Sequence, residues 1–132
     1  MQLLGLYWAG AKPPRDMAKP LIQAQRSDGG WAQRADFPSD AYATGQTLYA
    51  LNQACGVAIT DPVFRRGVEY LVGSQYEDGS WHVRSRSLKF QPYFDSSFPH
   101  EHDQWISAAA TSWAALAMSL TVESPVAAGA RR

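Results

Sequence analysis

One pattern is written twice in this chain. QRSDGGW, residues 25–31, and QYEDGSW, residues 75–81, share glutamine, three residues, glycine, one residue and tryptophan. What surrounds them also echoes. Each closes a helical stretch, and each is followed later by a second helix with Ala-Thr near its start, ATGQTLYAL at 43–51 and ATSWAALAM at 110–118. Self-similarity at matched internal spacing marks a repeat architecture, in which each unit buries its face only against its neighbours. The unit is a helix, a Gln–Asp–Gly–Trp turn and a second helix. Two such hairpins are predicted, with one leading helix before them.

Each turn residue has a physical task. Asp28-Gly29 and Asp78-Gly79 supply turn chemistry, because glycine reaches positive φ without steric cost. Gln25 and Gln75 fall at helix ends, where carbonyls lack partners and a following helix offers unpaired amides. A carboxamide can both donate and accept there. Trp31 and Trp81 are then expected to stack over those glutamines and bury a large apolar area.

Five helices follow from the periodicity. The first covers Gln2 to about Ala9 and closes at Gly10 before Pro13-Pro14. The second runs from about Arg15 to Gln25, with Pro20 either kinking it or marking its true first turn. The third starts at Asp40 as N-cap, carries Ala41, Thr44, Leu48, Leu51 and Cys55 on one stripe, and ends at Gly56. Asp61-Pro62 opens the fourth, whose stripe of Phe64, Val68 and Leu71 reaches about Gln75. The fifth, Ile106 to Leu120, is apolar or small all round, so a central core helix buried on most sides is expected. No segment alternates with period two, so strands are not predicted. The long stretch from His82 to Gln104 should pack as a structured flap anchored by Phe90, Tyr93, Phe94 and Phe98.

Composition bounds the function classes. Twelve basic and twelve acidic side chains cancel, which removes any global field for nucleic acid or anionic lipid. Lone Cys55 excludes an internal disulfide and a multi-cysteine zinc site, and reads as a small buried hydrophobe. The N-terminal MQLLGLYWAGAKPP has no basic region ahead of its apolar run, so no secretory signal is expected. Both it and the fifth helix fall short of the ~20 residues a membrane span requires. A soluble chain is expected, with no compartment readable.

RRGVEYLVGSQYEDGSW, residues 65–81, resembles the QW repeat of squalene-hopene and oxidosqualene cyclases, with Arg66, Gly67, Tyr70, Leu71, Gln75, Gly79 and Trp81 in register. The first copy matches from Gln25 onward. The block FQPYFDSSFPHEHDQWISAAATSWAALA is similar to the C-terminal end of bacterial squalene-cyclase-type repeat proteins. The resemblance implies an α/α toroid of helical hairpins in inner and outer rings, a fold shared with protein prenyltransferase β-subunits. The expectation is thus an all-α, partial toroid over residues 1–120, followed by a flexible tail at 121–132. So short an arc leaves end faces exposed, to be covered by more chain, another copy or another domain.

A working cyclase of this family would be implied to carry DxDDT at an inner-helix start. Here Asp40-Ala41-Tyr42-Ala43-Thr44 stands in that place. The first Asp and the Thr are kept, but Tyr42 replaces the proton donor. A phenol is far too weak an acid to protonate an isolated alkene as a carboxylic acid can. Ser107 to Thr111, the counterpart in the last repeat, holds no carboxylate. The prenyltransferase reading would need an Asp, Cys and His zinc set, and Cys55 has no nearby histidine in sequence. His100-Glu101-His102-Asp103 is a weak metal candidate, with His82 as a third ligand; the bland alternative makes Asp103 the cap of the fifth helix. Arg84 and Arg86 could face an anion or simply solvent. Tyr49, Trp105 and Trp113, on the third and fifth helices that the resemblance places in the inner ring, are candidates to line an apolar ligand site or else to be core. No cofactor is called for. The function expected is a QW-repeat module, non-catalytic as it stands, binding an apolar ligand or a protein partner. The alternative is the C-terminal part of a terpene cyclase, an isomerase whose acid motif lies upstream.

Overall fold

The structure, a computed structural model, describes residues 2–13, 15–88 and 92–122. Five α-helices carry it: α1 (Gln2–Trp8), α2 (Ala18–Gln23), α3 (Ala41–Gln53), α4 (Pro62–Ser74) and α5 (Gln104–Ser119). Short 3-10 turns, Arg15–Met17 and Glu101–Asp103, precede α2 and α5. Among the described residues there is no strand, only an isolated bridge between Trp31 and Asp40. Phe90 and residues 123–132, most of the expected tail, lie outside the described residues.

Local chemistry sets most of the boundaries. Asp40 caps α3 by accepting from the Ala43 amide at 2.8 Å. Asp61 caps α4 through Val63 N–H, also at 2.8 Å, with Pro62 at the position where its missing N–H costs nothing. Gly56, at φ +69°, ends α3 as the Gly56 and Val57 amides fold back on Asn52 and Leu51 carbonyls. The second helix is shorter than its periodicity predicts. Arg15–Met17 is 3-10, and the α-helix stops at Gln23 because the chain turns toward the Gln25 bonds described below.

The hairpins α2–α3 and α4–α5 stand side by side. α3 packs most extensively on α5, and it can do so closely because position 45 lacks a side chain: a Cβ on Gly45 would come within 2.6 Å of the Ala114 nitrogen. α4 approaches α3 in the same way. A Cβ on Gly67 would lie 2.7 Å from Leu48 Cδ2 and 3.0 Å from the Trp31 ring. The main core joins Trp31, Leu48, Leu51, Phe64, Leu71, Trp81, Ala110 and Ala114. A smaller one joins Leu3, Leu4 and Ala50. The architecture is therefore all-α, two QW-type hairpins and a leading helix forming an incomplete α/α toroid.

α5 departs from its expectation. Only one stripe, Gln104, Ser107, Ala110, Ala114 and Ala117, is buried. Trp105 is 60% exposed and Leu116 46%. Composition alone cannot separate a helix enclosed on most sides from one buried along a single stripe, and among the described residues α5 is the latter.

Candidate functional site

The two duplicated turns are alike bond by bond. Asp28 Oδ1 accepts from Gly30 N–H at 2.9 Å, and Asp78 Oδ1 from Ser80 N–H at 2.9 Å. Gly29 and Gly79 sit at φ +88° and +84°, where a Cβ would be strained. Gln25 Nε2 donates to the Gly29 carbonyl at 2.9 Å, and Gln75 Nε2 to that of Gly79 at 3.0 Å. The indole N–H of Trp31 donates to Leu21 O at 2.7 Å, and that of Trp81 to Leu71 O at 2.8 Å.

This changes the division of labour expected from sequence. One carbonyl near the end of each of α2 and α4, Leu21 O and Leu71 O, is met by a tryptophan indole, not by a glutamine. Gln25 instead reaches across to the next hairpin, donating to Val63 O at 2.9 Å and accepting from the Arg66 guanidinium. It therefore engages a carbonyl and a side chain of α4 rather than free amides. Both tryptophans are 3% exposed.

The Ala-Thr echo also has a bond behind it. Thr44 Oγ1 accepts from the Trp31 amide at 2.9 Å, and Thr111 Oγ1 from the Trp81 amide at 3.0 Å. The turn is thus tied to the helix before it by the indole and to the helix after it by threonine. Tyr70 adds a third link, its hydroxyl donating to Ser39 O at 2.8 Å. Burial, with Asp28 and Asp40 nearby, pushes the Tyr70 phenol up to about 12.

Those bonds occupy the acid-motif position. Asp40 Oδ1 caps α3, while Oδ2 accepts from Gln33 Nε2 at 2.8 Å. Thr44 is fully buried against Trp31, Tyr42 packs on the main core, and Ala43 is buried. No second carboxylate stands in Asp40–Thr44 to sharpen the acidity of the first.

The histidine cluster divides rather than converges. His100, at φ +82°, directs Nε2 to Ser80 Oγ at 2.7 Å, and Ser80 also meets Asp78 at 2.6 Å. His82 stacks on His100 with centroids 4.9 Å apart, and Tyr76 sets its edge against both. His102 packs instead on Tyr93, at 4.6 Å. Among the described residues no three His, Cys, Asp or Glu side chains could hold a metal, so the weak metal candidate His100, His102 and Asp103 is not assembled. Asp103 does not cap α5 through its side chain either. Its carboxylate takes His82 Nε2 at 2.7 Å and Ser85 N–H at 2.8 Å. Burial raises its pKa, but those two hydrogen bonds and the charges of His82 and Arg84 outweigh it, and the net shift is downward.

The flap is held by polar ties more than by aromatic anchors. Tyr93 is 51% and Phe94 68% exposed, whereas Gln104 is buried. Gln104 accepts from the Ser96 amide and hydroxyl, and donates to the Tyr93 hydroxyl and to Glu101 O. Ser107 Oγ receives the Val83 amide at 3.0 Å. Gln104, a polar residue at a helix start, was not singled out by the apolar periodicity; its place three residues ahead of Ser107, on the same helix stripe as Ala110, Ala114 and Ala117, was the available signal. Arg86 lies over the Phe37 ring, 3.9 Å from its centroid.

Between the flap and the start of α5 opens a groove of about 1040 Å³, lined by Arg84, Tyr93, Phe94, His102, Asp103 and Trp105 among others. Of the three aromatics expected to share an apolar site, only Trp105 is here. Tyr49 and Trp113 meet edge-on at 5.9 Å and pack on the smaller core.

The squalene-hopene cyclase C-terminal domain family model matches residues 9–131. The chain belongs to this family. A squalene–hopene cyclase of Bradyrhizobium diazoefficiens is 38% identical over 78 residues, covering 51% of this chain and 12% of that protein. A probable squalene–hopene cyclase of Sinorhizobium fredii is 39% identical over 61 residues, 46% of this chain and 9% of that protein. The chain thus spans only a small part of the curated relatives it matches. No solved structure matches it. Among the described residues no helix is long and apolar enough to cross a membrane.

Proposed function

We propose that this squalene-cyclase-like domain is a non-catalytic QW-repeat module that binds an apolar ligand or a protein partner. One observation carries the reading. At the acid-motif position the only carboxylate, Asp40, is committed to capping α3 and holding Gln33, and Tyr42 occupies the donor's place. Protonating an alkene requires a strong, dry, unengaged carboxylic acid. The groove beside Trp105, apolar along Tyr93 and Phe94 with a few convergent polar groups, suits binding without turnover. Incubating the purified chain with squalene and analysing the extract by gas chromatography with mass detection tests this. Squalene returned unchanged is expected; a cyclised triterpene above the no-protein control overturns it.

A second reading has support in the relatives, both of which bear the name squalene–hopene cyclase and extend far beyond the matched segment. In it the chain is the C-terminal part of such an isomerase and the acid comes from other repeats. A DxDDT motif encoded in frame ahead of Met1 would favour it.

A further inference from the structure

The Ala-Thr echo contains one difference in both size and polarity. Aligned on it, Gln46 of α3 takes the place that Trp113 holds in α5. Trp113 fills its space, its indole meeting Tyr49 edge-on and packing on the smaller core. Gln46 leaves a space instead. Beside it, between α1, the start of α2 and α3, lies a cavity of about 290 Å³ walled by Leu3, Leu4, Met17, Leu21 and Ala50. Leu3, Leu4 and Ala50 are buried, while Gln2 and Pro20 at its rim are exposed, so it runs from the surface to the smaller core. Gln46 Nε2 is buried in this wall. Among the described residues it is the one buried side-chain nitrogen or oxygen without a hydrogen-bond partner. A buried amide donor left unpaired is destabilising, and an acceptor entering the cavity would satisfy it.

We infer that this cavity is a binding site for an uncharged, mostly apolar small molecule with one accepting oxygen, which takes a hydrogen bond from Gln46 Nε2. Its lining contains no charged residue, so an ionised ligand would lose its hydration without compensation. Water is a poor occupant. A buried water is held by about 3 hydrogen bonds, and away from the rim only Gln46 and Thr47 offer polar side chains. Size sets the rest. An apolar cavity of ~150 Å³ takes up benzene, so this one has room for a ring with a short chain. The site shares no lining residue with the groove beside Trp105 and does not rest on the reading of the acid-motif position. Triterpene formation would end that reading and leave this cavity intact.

The probes are benzylacetone and isopentylbenzene, which match in shape and differ by a methyl group in place of the carbonyl oxygen. Each is titrated into the nitrogen-labelled full chain, with the side-chain amide signals of glutamine followed by NMR. Gln46 is assigned by the signal missing from Gln46→Leu. Benzylacetone is expected to shift that signal saturably. In Gln46→Leu its affinity relative to isopentylbenzene should fall about fivefold, the size of one lost hydrogen bond. Ala50→Met places a flexible side chain in the inner end of the cavity and should abolish saturable binding of both probes. A Gln46 amide that benzylacetone does not move overturns the inference in the wild-type chain, before any variant is made. So does an unchanged preference between the probes in Gln46→Leu, or undiminished binding in Ala50→Met. Saturable shifts confined to the Trp105 indole would overturn it too, by placing the probe in the groove.

Discussion

Replacing either repeat glutamine with alanine should expose how unequally the two clasps are loaded. Gln25 holds three bonds, to Gly29 O, Val63 O and the Arg66 side chain, the last at the exposed rim. At about 1 kcal/mol for each interior bond and less for the exposed one, Gln25→Ala should cost about 2 kcal/mol. Among the described residues Gln75 has one exposed bond, so Gln75→Ala should cost about 0.5 kcal/mol. In a chain of this size those losses lower Tm by about 6 °C and about 2 °C respectively. Urea unfolding followed by tryptophan fluorescence gives both values, with an unchanged m showing that the folded state is otherwise intact. Equal costs, or a larger loss at Gln75, would refute the claim that only the first clasp joins two hairpins.

Thr44→Val and Thr111→Val keep volume but leave the Trp31 and Trp81 amides without acceptors; about 1–3 kcal/mol is expected, larger at the fully buried Thr44, and losses below about 0.5 kcal/mol in urea unfolding would contradict the tie. Gly29→Ala meets both a positive φ and Arg66 O, so it should destabilise by more than Gly79→Ala, which meets only the backbone strain; equal thermal shifts would argue against α4 resting on the first turn. Because the folded Tyr70 is raised to about 12, its contribution is fully present below the ordinary phenol range near 10 and is lost as pH rises through 12. Discounted for its partial exposure, that contribution is about 1 kcal/mol, and a Tyr70→Phe chain whose stability falls just as steeply between pH 10 and 12 would contradict it.

The hairpins were legible because repeat spacing and caps are local. Asp40 and Asp61 cap the helices they precede in sequence, and Gly56 ends α3 where the stripe does. Partner choice was not legible, because it depends on which groups arrive from far along the chain. Nothing local says that the Trp31 indole N–H finds Leu21 O, or that Thr44 serves the Trp31 amide when the family pattern suggests an acid motif. The same limit explains the histidines. Alternation at His100 and His102 looks like a ligand pair, but the left-handed backbone at His100 and Glu101 turns the two rings to different partners, Ser80 and Tyr93. The one-sided burial of α5 was hidden for a related reason: small and apolar residues occur all round it, so its sequence does not say which stripe α3 covers.

Hydrogen exchange of the five indole N–H groups, read by NMR on protein carrying nitrogen-labelled tryptophan, addresses the duplicated clasp most directly. Trp31 and Trp81 should exchange slowest, together and on the timescale of global unfolding, since each indole is buried and bonded to a helix-end carbonyl. Exposed Trp8 should exchange fast, and Trp105, whose indole bond to Phe94 O lies at the surface, faster than the buried pair. Fast exchange at Trp31 or Trp81, or protection at one without the other, would contradict the account.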